Sequence, residues 1–189
     1  MLSERLKGYR VAIFATDLFE EAELTEPRKA LDEAGASTVV IAPHAGEIQA
    51  VQHDRKTLRV KVDQTLAEAD PQKFDAVLIP GGKMNAEALR EELLAQDFVR
   101  NINQRRLPIA VICHGPLLLI SAHIVKGRHL TSYKAIQDDL RNAGAFWRDS
   151  EVVRDGNWLS SRQPSDIPRF NQEMVNLFID NQANAYIAA

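Results

Sequence analysis

The chain holds one cysteine, and its setting is chemical rather than filler. Cys113 closes the run Leu107-Pro108-Ile109-Ala110-Val111-Ile112 and is followed by His114-Gly115-Pro116 and a second apolar run, Leu117 to Ile120. This pattern predicts a buried strand, a tight turn carrying the cysteine, and then a helix. It has the form of a nucleophile elbow with sulfur in place of a hydroxyl. A helix N-terminus favours negative charge, so the turn is expected to support a thiolate. A lone cysteine after an apolar run is commonly an inert buried thiol. Here the histidine, glycine and proline beside it suit a strained turn better than a packed core.

Two other segments end apolar runs with groups that could serve that sulfur. Asp75-Ala76-Val77-Leu78-Ile79 stops at Pro80-Gly81-Gly82, where bare backbone can approach a ligand and offer N–H groups to an oxyanion. Arg10 to Ala15 is followed by Asp17-Leu18-Phe19-Glu20-Glu21-Ala22-Glu23. Glu20, at the start of the helix, is the carboxylate expected to enter the site. Glu21 and Glu23 read as acids that complement a helix N-terminus. Beside a thiolate, Glu20 would be held protonated and could donate to sulfur, or, once ionised, act as a base.

The elements that must position these groups alternate. Strands are expected at Arg10–Ala15, Thr38–Ala42, Asp75–Ile79 and Ile109–Ile112. Helices are expected at Glu20–Ala34, Ala86–Gln104, Gly115–Val125, Lys134–Asn142 and from Ser165 or Pro168 onward. Glu47–Val51 and Leu58–Val62 read as a small hairpin appended to the main sheet. Glu151–Val153 and Trp158–Ser160 read as a second hairpin, with an Asp-Gly turn. This order predicts an α/β fold with a doubly wound, mostly parallel sheet between helices, its ligands at the strand ends. No linker or repeat divides residues 1–189, so a single domain is expected.

Composition narrows the function. The 189 residues are 45% hydrophobic and 26% charged, with a net charge of −3, ordinary values for a globular protein. One cysteine permits no internal disulfide, and the N-terminus lacks the apolar core of a signal peptide, so a cytoplasmic protein is expected. No membrane span is expected. The densest basic spot, Arg100 with Arg105-Arg106, reads as a solvated face, and no nucleic-acid partner is expected. His44, His53, His123 and His129 show no ligand spacing, and there is no phosphate-binding glycine motif. No metal or cofactor is therefore expected.

With the elbow, the glycine pair and the acidic segment in view, the chain resembles the ThiJ/PfpI family from Val11 to about Phe178. The segments that carry the resemblance are Phe19–Leu24, Phe74–Gly82, Ala110–Pro116 and Asp155–Arg162. The resemblance implies a flavodoxin-like sandwich, similar to class I glutamine amidotransferases, with Cys113 as nucleophile and Glu20 touching its sulfur. His114 would be a base, Gly82 and His114 would be oxyanion donors, and Gly81, Gly115 and Tyr133 would line the site. It also implies a homodimer or homohexamer with the site near an interface. Family proteases place an acid after the glycine pair to orient the histidine of a neighbouring subunit. Here that acid is Glu87, one residue late. Lys134 stands where relatives often carry proline.

Three functions follow from one elbow. The first is stress-protective chemistry on reactive aldehydes or their protein adducts, a glutathione-independent glyoxalase or deglycase using Cys113 and Glu20. The second is peptide hydrolysis by Cys113 and His114, which needs an unusual turn because neighbouring side chains ordinarily point apart. The third is redox sensing by oxidation of Cys113.

Overall fold

The structure is a computed structural model and describes residues 4–188. The first half of the chain contains β1 (Arg10–Phe14), β2 (Phe19–Glu20), α1 (Glu21–Glu33), β3 (Ser37–Ala42), β4 (Glu47–Gln52), β5 (Arg55–Lys61), β6 (Gln64–Thr65), β7 (Ala76–Ile79) and α2 (Lys83–Glu91). The second half contains α3 (Leu93–Gln104), β8 (Ile109–Ile112), α4 (Pro116–Ser121), β9 (His129–Leu130), α5 (Gln137–Asn142), β10 (Phe146–Trp147), β11 (Val152–Asp155), β12 (Trp158–Ser161) and α6 (Ile167–Ala188).

Seven strands form the main sheet in the order β11-β12-β8-β7-β1-β3-β6. Every pairing in it is parallel except that of β11 with β12. The central strands are short apolar runs, as expected of a sheet covered on both faces. Alternation divides their side chains between two cores. Val11 and Ile13 of β1 face the core that contains Leu24, Leu31, Phe170, Met174 and Phe178. Ala12 and Phe14 face the core of Leu89, Phe98, Ile102, Leu118 and Trp158. Because β1, β7 and β8 are adjacent and parallel, the segments that follow them converge at one edge of the sheet.

Four expectations are corrected. The hairpin of β4 and β5 is not appended to the main sheet; β4 pairs with β2, forming a separate three-stranded sheet. The helix expected over Ala86–Gln104 is two helices, broken at Glu92, whose backbone is extended. The helix after Gly115 stops at Ser121. In the second hairpin Asp155 pairs with Trp158, so the turn residues are Gly156 and Asn157 rather than Asp-Gly.

Candidate active site

Cys113 occupies the left-handed region, with φ of 61°. That conformation costs a residue with a Cβ about 1–2 kcal/mol. Two backbone hydrogen bonds hold it there. The Cys113 N–H donates to the Ser161 carbonyl at 3.1 Å, and the Tyr133 N–H donates to the Cys113 carbonyl at 2.9 Å. The turn brings neighbouring side chains together, as peptide hydrolysis requires: Cys113 Sγ lies 3.2 Å from His114 Nδ1. The His114 ring stacks on Tyr133, with centroids 4.8 Å apart.

The carboxylate at the sulfur is Glu23, not Glu20. Glu23 is fully buried, and its Oε2 accepts from the Gly81 N–H at 2.8 Å. The other oxygen, Oε1, has no conventional hydrogen-bond partner. The Cys113 side chain lies beside this carboxyl, both flanking the point where a Cβ on Gly81 would sit, and each shifts the titration of the other. A Cβ on Gly81 would collide with Glu23 Oε2 and come within 2.6 Å of Cys113 Cβ, so only glycine lets the carboxyl and the sulfur meet. Glu20 stands half-buried nearby, with Oε2 accepting from the His53 N–H at 3.1 Å. The buried stripe of α1 contains Glu23, Leu24, Pro27 and Leu31. The four-residue spacing from Glu23 to Pro27 to Leu31 was the signal in the sequence that Glu23 points inward.

Electrostatics follow from burial. Desolvation pushes the Glu23 carboxyl up to about 8, and the charge of Glu20 adds to this, against the Gly81 N–H. Glu23 is thus protonated at neutral pH. Burial also pushes the Cys113 thiol up, as does Glu23, while the N–H groups of Gly82 and His114 pull it down. The expected stabilisation of a thiolate by a helix N-terminus is therefore outweighed. The helix after the elbow has only six residues, and desolvation is the larger effect. Burial and the charge of Lys83 hold His114 below its ordinary value, so its ring is neutral and able to accept the thiol proton.

The glycines divide by role. The N–H groups of Gly82 and His114 face the sulfur. The N–H of Gly81 is committed to Glu23 and that of Gly115 to the Ile112 carbonyl at 3.0 Å, so neither is an oxyanion donor. Gly115 is a packing residue, since a Cβ there would come 2.7 Å from the Ile79 carbonyl oxygen. Buried Asn85, absent from the sequence reading, fixes the loop. Its Nδ2 donates to the Gly81 carbonyl at 2.8 Å, and its Oδ1 accepts from the Thr16 N–H at 2.7 Å. Glu87 is exposed, lies 3.6 Å from Arg90 on its own helix, and acts electrostatically on the His114 of its own chain.

This geometry coincides with a family match. Residues 9–177 match the model of the DJ-1/PfpI family. The chain belongs to the DJ-1/PfpI family. Among similar family members, "Putative cysteine protease YraA" of Bacillus subtilis is 40% identical over 168 residues, covering 89% of this chain and 97% of its own. "Deglycase PfpI" of Pyrococcus furiosus is 40% identical, covering 89% and 98%. "Protein/nucleic acid deglycase 2" of Escherichia coli is 39% identical, covering 89% and 96%. The DJ-1beta structure from Drosophila melanogaster superposes with a TM-score of 0.82 at 26% identity, covering 96% of this chain and 98% of that one. The flavodoxin-like α/β fold expected from the sequence is the fold of this DJ-1/PfpI protein. No helix among the described residues is long and apolar enough to cross a membrane.

Proposed function

We propose that this DJ-1/PfpI protein is a cysteine-dependent enzyme acting on reactive aldehydes and on their adducts with amines. The observation that carries this reading is the buried pairing of a protonated Glu23 with Cys113. The pair reacts in the form that has lost one of its protons, and with the remaining proton on Glu23 the sulfur is a thiolate. The thiolate adds to the aldehyde carbon of methylglyoxal, and Glu23 protonates the new oxyanion. Glu23, now a carboxylate, takes the proton from that carbon and returns it to the neighbouring one, while the hydroxyl proton passes between the two oxygens. Water cleaves the resulting lactoyl thioester, giving lactate and the free thiol. The N–H groups of Gly82 and His114, which face the sulfur, would donate to the oxyanion. On a lysine carbinolamine the C–S bond replaces the C–N bond, and the departing amine takes the Glu23 proton. Relatives named as deglycases support this substrate class.

The test is lactate formation from methylglyoxal without added thiol, for the wild type, Cys113→Ser and Glu23→Gln. Lactate from the wild type alone is expected. Rapid alkylation of Cys113 with no lactate would reject the reading. The contact of 3.2 Å between Cys113 Sγ and His114 Nδ1 favours a second reading, peptide hydrolysis, which also fits the name of the Bacillus subtilis relative. Peptide cleavage lost in His114→Ala, with lactate formation retained, would assign the histidine to that reaction.

A further inference from the structure

Glu20 has no part in the proton transfers above, yet the fold spends three interactions on it. Its N–H donates to the Gly81 carbonyl at 3.3 Å, and a Cβ on Gly82 would come 2.7 Å from its nitrogen. Its backbone therefore lies against the loop whose N–H faces the sulfur. Its place in the ladder is set by β2, where it pairs with Val51 of β4. Its side chain is anchored at one oxygen only, by the His53 N–H in the turn between β4 and β5, and no other hydrogen bond reaches the carboxylate among the described residues.

A carboxylate accepts about four hydrogen bonds, so one anchor leaves most of its capacity open. Glu20 is half-buried and enters no ion pair among the described residues. It is near enough to the buried centre for its charge to act on Glu23. The group that fits such an acceptor is a cationic donor, a protonated amine or a guanidinium, carried within a few atoms of the electrophilic carbon. A neutral aldehyde offers it nothing. A carbonyl adduct on a lysine or arginine side chain carries its basic nitrogen within a few atoms of that carbon.

We infer that Glu20 is the specificity-determining residue that selects substrates carrying a basic nitrogen, the adducts of lysine and arginine, over free neutral aldehydes. The assignment of such adducts as substrates rests on the function proposed above; the electrostatic selection at Cys113 does not. The sulfur itself can report it. Cys113 is alkylated with a cationic reagent, 2-bromoethylamine, and with a neutral one, iodoacetamide, and the ratio of the two rates is compared among wild type, Glu20→Gln and Glu20→Asp. Any change in thiol pKa or accessibility affects both reagents and cancels in the ratio. Glu20→Gln is expected to lower the ratio of cationic to neutral rates about tenfold, and Glu20→Asp to restore part of it. Raising the salt concentration should erode the wild-type preference. A ratio unchanged in Glu20→Gln overturns the inference. In parallel, kcat/KM for lactate release from methylglyoxal-treated Nα-acetyl-lysine is divided by that for free methylglyoxal. A fall in that quotient, carried by KM, supports amine selection, and an equal loss on both substrates overturns it. Wild type that forms no lactate while the alkylation ratio still depends on Glu20 would reject the proposed reaction and leave the selection standing.

Discussion

The Gly81 amide nitrogen and the Glu23 carboxylate oxygen Oε2 are 2.8 Å apart, and this hydrogen bond links the loop after β7 to the buried face of α1 beneath Cys113. It orients a carboxyl that would otherwise be a costly buried acid. Glu23→Gln keeps an acceptor for Gly81 but carries no transferable proton. Lactate formation should fall about 10²–10⁴-fold, the usual worth of a positioned acid–base. Single-turnover kinetics should show hemithioacetal formation persisting while proton transfer stops.

The thiol itself responds in the opposite sense. Glu23 is among the groups that push Cys113 up, so Glu23→Gln should lower the pH at which alkylation reaches half its maximal rate. A pH profile of iodoacetamide labelling of both proteins measures this. A midpoint that rises in the variant would show that Glu23 activates the thiol instead.

Stability should also depend on Glu23. Its carboxyl is raised to about 8 in the folded chain, from 4.5 as the ordinary value. Between those values the native state holds a proton that the unfolded chain has released. Stability therefore declines as pH rises through this window. Thermal melts from pH 5 to 9 should show a falling Tm, with a shallower slope in Glu23→Gln.

Gly81 should tolerate no side chain. A Cβ there would meet the carboxyl of Glu23, Cys113 Cβ at 2.6 Å and His114 N at 3.0 Å. Gly81→Ala is expected to cost about 1–3 kcal/mol in urea denaturation, the usual price of overpacking. It should also slow alkylation of Cys113, because the sulfur and the carboxyl must separate.

Asn85 carries no chemistry but ties the glycine loop to the end of β1. Asn85→Ala would leave the buried Thr16 N–H and the Gly81 carbonyl without this partner. A loss of about 1–3 kcal/mol is expected for such an orphaned group. Urea melts measure that loss, and alkylation kinetics should show a less uniform thiol.

Much of this arrangement was legible in one dimension. Apolar runs ending at Cys113 and Gly81-Gly82 mark strands that are buried on both faces, because burial demands uninterrupted hydrophobic side chains. The single cysteine, with histidine after it and Gly-Pro beyond, marked the turn between β8 and α4 from residue types alone. Local rules also located α1 and both hairpins. What those rules could not decide was which acid reaches the sulfur. Glu20, Glu21 and Glu23 share one short segment, and helix-dipole preference treats first-turn acids alike. The choice depends on how α1 is rotated against the sheet. That rotation is set by Leu24 and Leu31 packing into the core with Phe170 and Met174 of α6, partners more than 130 residues away in sequence. The same packing buries Glu23 and raises it to about 8, and leaves Glu20 at the rim with its carboxylate open. Residue identity therefore determined which groups were available for chemistry. Only the tertiary structure, by deciding which are desolvated together, determined which one holds the proton.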